Sequence, residues 1–454
     1  MKQSFISSIF LLFFFLLTLH QLPLFADILI PPDNPQINYY GRFDFSDPLQ
    51  PRFNWSGAII EVTFPGPKIG MRIAHNDAYY DIEIDGMLDT TIHTDFNTRE
   101  YIFRDDLSED LHTVRIILRN EGHWGAAIFL GIYLQDDHDL SDAPIKPAQK
   151  IEFIGDSHTA GYGIESPGRT CNEDQLNMYT NANLTFAMNV TNAFHAQSII
   201  LGWSGAGMVR NYGDSNKRSS DPYSSHYGQT LGAVDDVEWD FTQWIPDLVV
   251  INLGTNDYST DPNPDDSMYI GDYHKFINKI LGNYPDAAII CISGESGAFE
   301  DNVKRVVSEQ NSEHNHPKVY AVQYPSSLAL TGCDWHPSIE DNEKIADVLI
   351  STIIEQLNWD TTSSATISES FHRRQQSNYA SFSAIQSGNV IHLSSNQQIR
   401  PRTPFRLLSI NGRVLQERKL SDNHSCSFSL QNISPGLYLI GNKEIGWLQC
   451  IIRP

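Results

Sequence analysis

Residues 248–253 read Leu-Val-Val-Ile-Asn-Leu, an almost unbroken apolar run far too short to span a membrane. Such a run is expected of a β-strand buried on both faces, which requires helices on both sides of a parallel sheet. Ile151-Glu152-Phe153-Ile154, Ala287–Ile292 and Val319–Val322 are similar. Between them the period changes. Tyr273, Phe276, Ile277, Ile280 and Leu281 fall at helical spacing, as do Ile345, Leu349, Ile353 and Leu357, the latter on a helix that Ser338 can cap. Residues 148–358 are therefore predicted to form a three-layer α/β domain with a parallel sheet. In such sheets the chemistry sits in loops beyond the carboxyl ends of the strands.

The flanking regions read differently. Across residues 27–142 short strand-like segments follow one another with turn residues between them and no helical period. Ile59–Phe64 runs into Pro65-Gly66-Pro67, Tyr80–Ile84 alternates and meets Asp85-Gly86, and Thr113–Leu118 and Ala127–Leu134 follow. This predicts an antiparallel, jelly-roll-like β-sandwich. Asp142-Ala143-Pro144-Ile145-Lys146-Pro147 marks the boundary. After the α/β region, residues 359–384 are rich in Ser, Thr and Gln and read as a linker. Residues 385–454 read as a small β module, with turns expected at Ser394-Ser395-Asn396 and Asn411-Gly412 and a strand after Pro435-Gly436. The 454 residues are enough for several domains at about 150 each.

Met1–Ala26 reads as a signal peptide, with Lys2 ahead of an apolar core from Ile9 to Leu19. The alternative is an N-terminal membrane anchor; no other stretch is long and apolar enough to span a bilayer. The expected location is outside the cell or on its surface. Lys and Arg number 31 against 55 Asp and Glu, a formal net charge of -24. That balance argues against nucleic acid and anionic lipid as partners and suits a neutral one. The five cysteines, Cys171, Cys291, Cys333, Cys426 and Cys450, form no CxxC pair and no Cys/His zinc pattern. Bridges are open between Cys426 and Cys450 or between Cys171 and Cys333.

Four short motifs carry the candidate chemistry. Gly155-Asp156-Ser157-His158 directly follows a strand, where a serine is held exposed and its own N–H can face a forming oxyanion. These are also common turn residues. Trp203-Ser204-Gly205-Ala206-Gly207 offers a backbone N–H that can approach a ligand closely, or is an ordinary glycine loop. Gly254-Thr255-Asn256-Asp257 offers a side-chain amide donor, or a helix cap. Gly332-Cys333-Asp334-Trp335-His336-Pro337 offers a histidine as general base, where a lone histidine is more often a surface residue. The pattern Gly-x-Ser-x-Gly is absent around Ser157, against an ordinary α/β-hydrolase elbow.

In this order the four motifs resemble those of the SGNH (GDSL) hydrolase superfamily. A β-sandwich ahead of such a domain, with the wording Ile154–Gly163, Trp203–Gly213 and Gly332–Ser338, resembles carbohydrate esterase family 2. Members of that family remove acetyl groups from plant polysaccharides such as xylan and glucomannan. The resemblance implies Ser157 as nucleophile and His336 as general base. It implies an oxyanion hole from the N–H groups of Ser157 and Gly205 and the Asn256 side chain, with no metal or other cofactor. Many SGNH enzymes place an Asp three residues before the His. Here Cys333 stands there and Asp334 lies two before, so Asp334 is a third triad member or a main-chain carbonyl orients His336 instead. Trp335, Tyr258 and Trp203 flank the motifs as sugar contacts or as packing, and Trp124 is a further aromatic candidate. The partner implied is an acetylated polysaccharide or oligosaccharide. A lipase or thioesterase acting on another acyl ester, or a non-catalytic glycan-binding protein, are the other functions such a chain offers.

The C-terminal stretches Ser409–Val414 and Leu430–Tyr438 resemble the sorting domain of type IX secretion substrates, with a basic ending reduced to Arg453-Pro454. This implies the type IX secretion machinery as a partner; otherwise the module is a spacer or carbohydrate-binding β domain.

Overall fold

The computed structural model describes residues 27–361 and, from 382 to 452, the strands of the C-terminal module. The segments 97–98, 123–124, 233–236, 295–297 and 314–317, and most loops between those last strands, are excepted. The expected signal peptide, most of the linker, Trp124, Asn411-Gly412 and Arg453-Pro454 lie outside the described residues.

The first ten strands are β1 (Asp27–Ile30), β2 (Asn38–Tyr40), β3 (Arg52–Phe53), β4 (Ile59–Pro65), β5 (Ile69–Ala74), β6 (Tyr79–Ile84), β7 (Met87–His93), β8 (Glu100–Arg104), β9 (Leu111–Leu118) and β10 (Ala127–Gln135). They form two antiparallel sheets. One runs β1-β10-β5-β8 with β3 also on β10, and the other runs β2-β4-β9-β6-β7. Val62, Phe64, Ile82, Val114 and Ile116 from one sheet meet Ile69, Met71, Ile73, Phe129 and Ile132 from the other in a single apolar core. This is the period-two alternation of the sequence turned into an inside and an outside.

The central domain holds β11 (Lys150–Gly155), α1 (Ser157–Ala160), α2 (Glu173–Tyr179), α3 (Phe186–Ala193), β12 (Gln197–Gly202), β13 (Leu248–Asn252), α4 (Thr255–Tyr258), α5 (Asp266–Asn283), β14 (Ala288–Ser293), α6 (Ala298–Glu313), β15 (Val319–Gln323) and α7 (Ile339–Leu357). Its strands are parallel in the order β12-β11-β13-β14-β15. Every residue of β12, β13 and β14 is buried, as two-sided helix cover requires. Tyr273, Phe276 and Ile280 of α5 pack on one face of the sheet; Phe186 and Val190 of α3 and Ile345, Leu349 and Ile353 of α7 pack on the other. Ser338 caps α7, its Oγ accepting the Asp341 N–H at 3.2 Å. Strand order reverses at β11, so the loops after β11, β12 and β13 open at one switch point.

The two domains share buried contacts. Ile59 and Ile117 of the sandwich join the α/β core beside Ile200 and Phe186. Arg42, fully buried, reaches Glu152 at 3.1 Å and donates to the carbonyls of Tyr227 and Gln229. The Tyr227 hydroxyl donates to the other oxygen of Glu152 at 2.9 Å.

The C-terminal module contains β16 (Phe382–Ser387), β17 (Val390–Ser395), β18 (Phe405–Ser409), β19 (Val414–Arg418), β20 (Ser425–Ser429), β21 (Gly436–Asn442) and β22 (Gly446–Ile452), paired as β16-β17-β20 and β19-β18-β21-β22. β16 starts inside the stretch read as linker. Ser394 and Ser395 end a strand rather than form a turn, because both pair across to β16 and β20 takes Ser394 as well. Cys171 and Cys333 form a disulfide with Cα atoms 5.7 Å apart, while Cys426 and Cys291 are free and buried.

Candidate active site

Ser157 lies two residues past the end of β11, at the first position of α1. Asp156 caps that helix by accepting the His158 N–H at 3.1 Å, and Gly161 ends it in the left-handed conformation. The strand fixes where the serine sits and the cap fixes how it is turned. Its Oγ lies 2.8 Å from Nε2 of His336, which is 179 residues further along the chain.

The other imidazole nitrogen decides the tautomer. His336 Nδ1 lies 2.8 Å from the main-chain oxygen of Cys333. A carbonyl oxygen only accepts, so Nδ1 carries the proton and Nε2 presents its lone pair to the serine hydroxyl. Burial holds the imidazole below the usual histidine range, with the Cys333 carbonyl pulling the other way. At neutral pH it is therefore the free base.

Asp334 does not hold the imidazole. Its backbone is in the left-handed region, φ 50°, and its side chain points outward and accepts the Tyr162 hydroxyl at 2.9 Å. Two residues before the histidine, in a turn of this shape, a side chain cannot reach Nδ1 while the residue three before offers its carbonyl. Asp334 acts on His336 only at second hand: the Tyr162 ring stacks on the imidazole at 4.2 Å between centroids.

The 332–336 turn is tied to the 161–171 segment at several points. Cys333 N–H donates to Gly163 O, Asp334 N–H donates to Arg169 O, and the Cys171–Cys333 disulfide joins the two. Arg169 donates to the carbonyls of Ala329 and Leu330, and its guanidinium lies 3.5 Å from the centre of the Trp335 ring. Trp335 is 63% exposed.

The loop after β12 is anchored from below. Both oxygens of Asp257, just after β13, accept backbone N–H groups of Met208, Val209 and Arg210 at 2.8–2.9 Å. Burial nevertheless raises its pKa to about 6. Asn256 donates from Nδ2 to Ala206 O at 2.9 Å and to Asp156 at 3.2 Å. The Asp156 carboxyl is pushed up to about 7 by its burial, with the nearby charges of Asp257 and Glu121 adding to the effect. Gly205 sits at φ 79°, a conformation open to glycine and strained for other residues. Among the described residues, the backbone N–H groups of Ser157 and Gly205 have no hydrogen-bond partner.

Two of the expected sugar contacts, Trp203 and Tyr258, also make packing contacts. Trp203 packs edge-on against Trp55 and face-on against His226. Tyr258 stacks on Phe299, and its hydroxyl accepts the Asn302 amide at 2.9 Å. Both rings are partly buried and pack against the α/β core, Trp203 on the sandwich side and Tyr258 beside α5 and α6. Tyr162 had a visible signal, five residues after Ser157. Glu121 had none: it comes from the sandwich and meets Ser204, 83 residues away. His158 is half-buried, its imidazole held neutral and pushed down to about 3 by desolvation, with Nδ1 3.2 Å from the Tyr324 hydroxyl. Among the described residues no group of three or more His, Cys, Asp or Glu is placed to hold a metal ion. No helix there is long and apolar enough to cross a membrane.

Comparison with known proteins agrees with this geometry. Residues 39–144 match the carbohydrate esterase 2 N-terminal family and residues 153–323 the GDSL-like lipase/acylhydrolase family. The solved structure of a family two carbohydrate esterase from Clostridium thermocellum in complex with cellohexaose is 32% identical. It superposes with a TM-score of 0.66 over 71% of this chain and 100% of that one. The chain belongs to carbohydrate esterase family 2.

Among curated relatives, the cellulase/esterase CelE of Acetivibrio thermocellus is 33% identical over 72% of this chain. The match spans only 40% of CelE's own length. An acetylxylan esterase / glucomannan deacetylase of Cellvibrio japonicus is 29% identical over 67% of this chain and 86% of that protein. The matched carbohydrate esterase 2 region is the sandwich, and the GDSL-like region is the α/β domain down to β15.

Proposed function

We propose that this family 2 member is a carbohydrate esterase that removes O-acetyl groups from plant cell-wall polysaccharides by serine acyl transfer. The observation that carries the proposal is the Ser157 Oγ to His336 Nε2 contact of 2.8 Å, with the tautomer set by Cys333 O.

The steps follow from that tautomer. His336 Nε2 takes the Ser157 hydroxyl proton as Oγ attacks the acetyl carbonyl carbon. The carbonyl π electrons move to its oxygen, and that oxyanion meets the N–H groups of Ser157 and Gly205. Asn256 joins them by releasing its longer contact to Asp156. His336 returns the proton to the sugar oxygen as the C–O bond breaks, and the polysaccharide hydroxyl leaves. Water, deprotonated by the same nitrogen, then attacks the acetyl-serine; His336 returns that proton to Ser157 Oγ as the C–Oγ bond breaks, and acetic acid leaves and ionises to acetate.

The substrate class rests on the relatives named acetylxylan esterase / glucomannan deacetylase and on the exposed Trp335 indole. Arg169 covers one face of that ring. The other face suits the C–H face of a pyranose. The chain's net charge of -24 favours a neutral polymer over a heavily acidic one. We further propose that the protein works outside the cell or on its surface, with residues 1–26 as signal peptide and residues 385–454 as a sorting-like module read by type IX secretion machinery.

The test is acetate release from acetylated xylan and acetylated glucomannan by the wild type and Ser157→Ala. Release by the wild type and loss in the variant is expected. Release from long-chain esters instead would overturn the substrate assignment, and undiminished release by Ser157→Ala would overturn the mechanism.

A further inference from the structure

The turn that presents the Gly205 N–H is held from the neighbouring domain. Glu121 follows β9 in the sandwich. Its Oε2 accepts the Ser204 N–H at 2.6 Å, and its Oε1 accepts the Ser204 hydroxyl. Both oxygens of one carboxylate thus grip the residue immediately before Gly205. On the far side, Gly205 O accepts the Tyr212 N–H at 2.9 Å and Ala206 O accepts the Asn256 amide. The turn is fixed from three directions, and one of them is not part of the α/β domain.

The segment that carries Glu121 is itself rigidly seated. Arg119 pairs with Asp81 and Glu165 and donates to Met178 O. Asn120 accepts the Tyr79 N–H at 2.5 Å and donates to Asn177 O at 2.7 Å. Gly122 lies so close to Asn54 that a Cβ there would stand 2.4 Å from the Asn54 Cβ. Asn54 in turn exchanges hydrogen bonds with the backbone of Gly232, donating at 2.8 Å and accepting at 2.9 Å. These contacts tie the Glu121 segment to both domains, so the carboxylate has little freedom to leave Ser204.

We propose that Glu121 is a positioning residue of the esterase site, by which the β-sandwich holds the Ser204–Gly205 turn in the geometry that aims the Gly205 N–H at the acyl oxygen. The proposal rests on the reading of Ser157 and Gly205 as nucleophile and oxyanion donor. A carboxylate near a forming oxyanion opposes it by charge. Here the Ser204 N–H and hydroxyl occupy both oxygens, so its contribution is the position of the turn. A donor aimed at the oxyanion serves the transition state more than the ground state, and its displacement lowers kcat with little change in KM. The sandwich then completes the active site rather than only accompanying it.

The test compares Glu121→Ala, Glu121→Gln and Ser204→Ala with the wild type in the full chain. Hydrolysis of p-nitrophenyl acetate supplies kcat and KM. Labelling of Ser157 by a fluorophosphonate, followed by mass spectrometry, supplies the rate of forming a tetrahedral oxyanion adduct without any sugar. Glu121→Ala is expected to lower kcat and the labelling rate together by about 10–100-fold, less than deletion of a donor, with KM within about twofold. Glu121→Gln, which keeps one acceptor oxygen and the shape, is expected to recover most of both rates; Ser204→Ala is expected to fall between. If Glu121→Ala melts early, Glu121→Gln and Ser204→Ala carry the comparison. Wild-type labelling and turnover in Glu121→Ala, or in Ser204→Ala if the former does not fold, would overturn the proposal. A failure of the polysaccharide assignment is told apart, because it leaves wild-type labelling intact while acetate release from glucomannan is absent.

Discussion

The main-chain oxygen of Cys333 holds Nδ1 of His336 at 2.8 Å, in the place where a carboxylate would complete a catalytic triad. A carbonyl sets the tautomer and the ring plane as a carboxylate does, but carries no full charge to stabilise the imidazolium. Asp334→Asn is therefore expected to keep turnover within about threefold of wild type, where loss of a true triad aspartate costs about 10⁴. Steady-state kinetics on an acetyl ester check this; a loss beyond about 100-fold would return Asp334 to the triad.

Cys333 is also one half of the disulfide to Cys171, across a separation of 162 residues. Cys171→Ser should lower stability by several kcal/mol, about 5 in the chain-entropy view. It should also lower kcat by loosening the turn whose carbonyl orients His336. Thermal melts and kinetics under non-reducing conditions measure both. An unchanged kcat in the folded variant would show that the hydrogen bonds to Gly163 O and Arg169 O hold the turn unaided.

Burial holds His336 below the usual histidine range. The base acts only when neutral, so activity falls as pH drops through its folded-state pKa. The acidic limb of kcat/KM is thus expected below pH 6.5, the ordinary value for histidine. A pH–rate profile with its acidic limb at or above 6.5 would contradict this.

Asn256 braces Ala206 O and offers its amide to the acyl oxygen. Asn256→Ala is expected to reduce kcat by about 10²–10³ with the fold retained. Near-normal turnover with a wild-type circular dichroism spectrum would remove it from the oxyanion hole.

Arg42 and Glu152 form a fully buried pair between the domains. Arg42→Met leaves Glu152 buried without its cation and should cost about 3–5 kcal/mol, whereas Arg42→Met with Glu152→Met should recover most of that. Burial already raises the Glu152 pKa, so the single variant should be least stable at high pH, where the carboxyl must ionise. Denaturant titrations at two pH values test the sign.

What the sequence determined by itself was local pattern and motif order. The nearly continuous apolar run 248–253 pointed to a doubly covered strand, and Ser338 marked the start of α7, because period and capping are properties of neighbouring residues. The motifs around Ser157, Gly205, Asn256 and His336 were legible for the same reason. Tertiary structure alone decided which groups meet. The left-handed backbone at Asp334 sent its carboxylate to Tyr162 and brought the Cys333 carbonyl to His336. Core packing decided which neighbours Trp203 and Tyr258 meet: Trp55 and His226 for one, Phe299 and Asn302 for the other. Glu121 reaches Ser204 only because two domains dock through Arg42, Asn54 and Arg119. Contacts between residues tens to hundreds of positions apart depend on how elements pack, and no pattern of neighbouring residues encodes them.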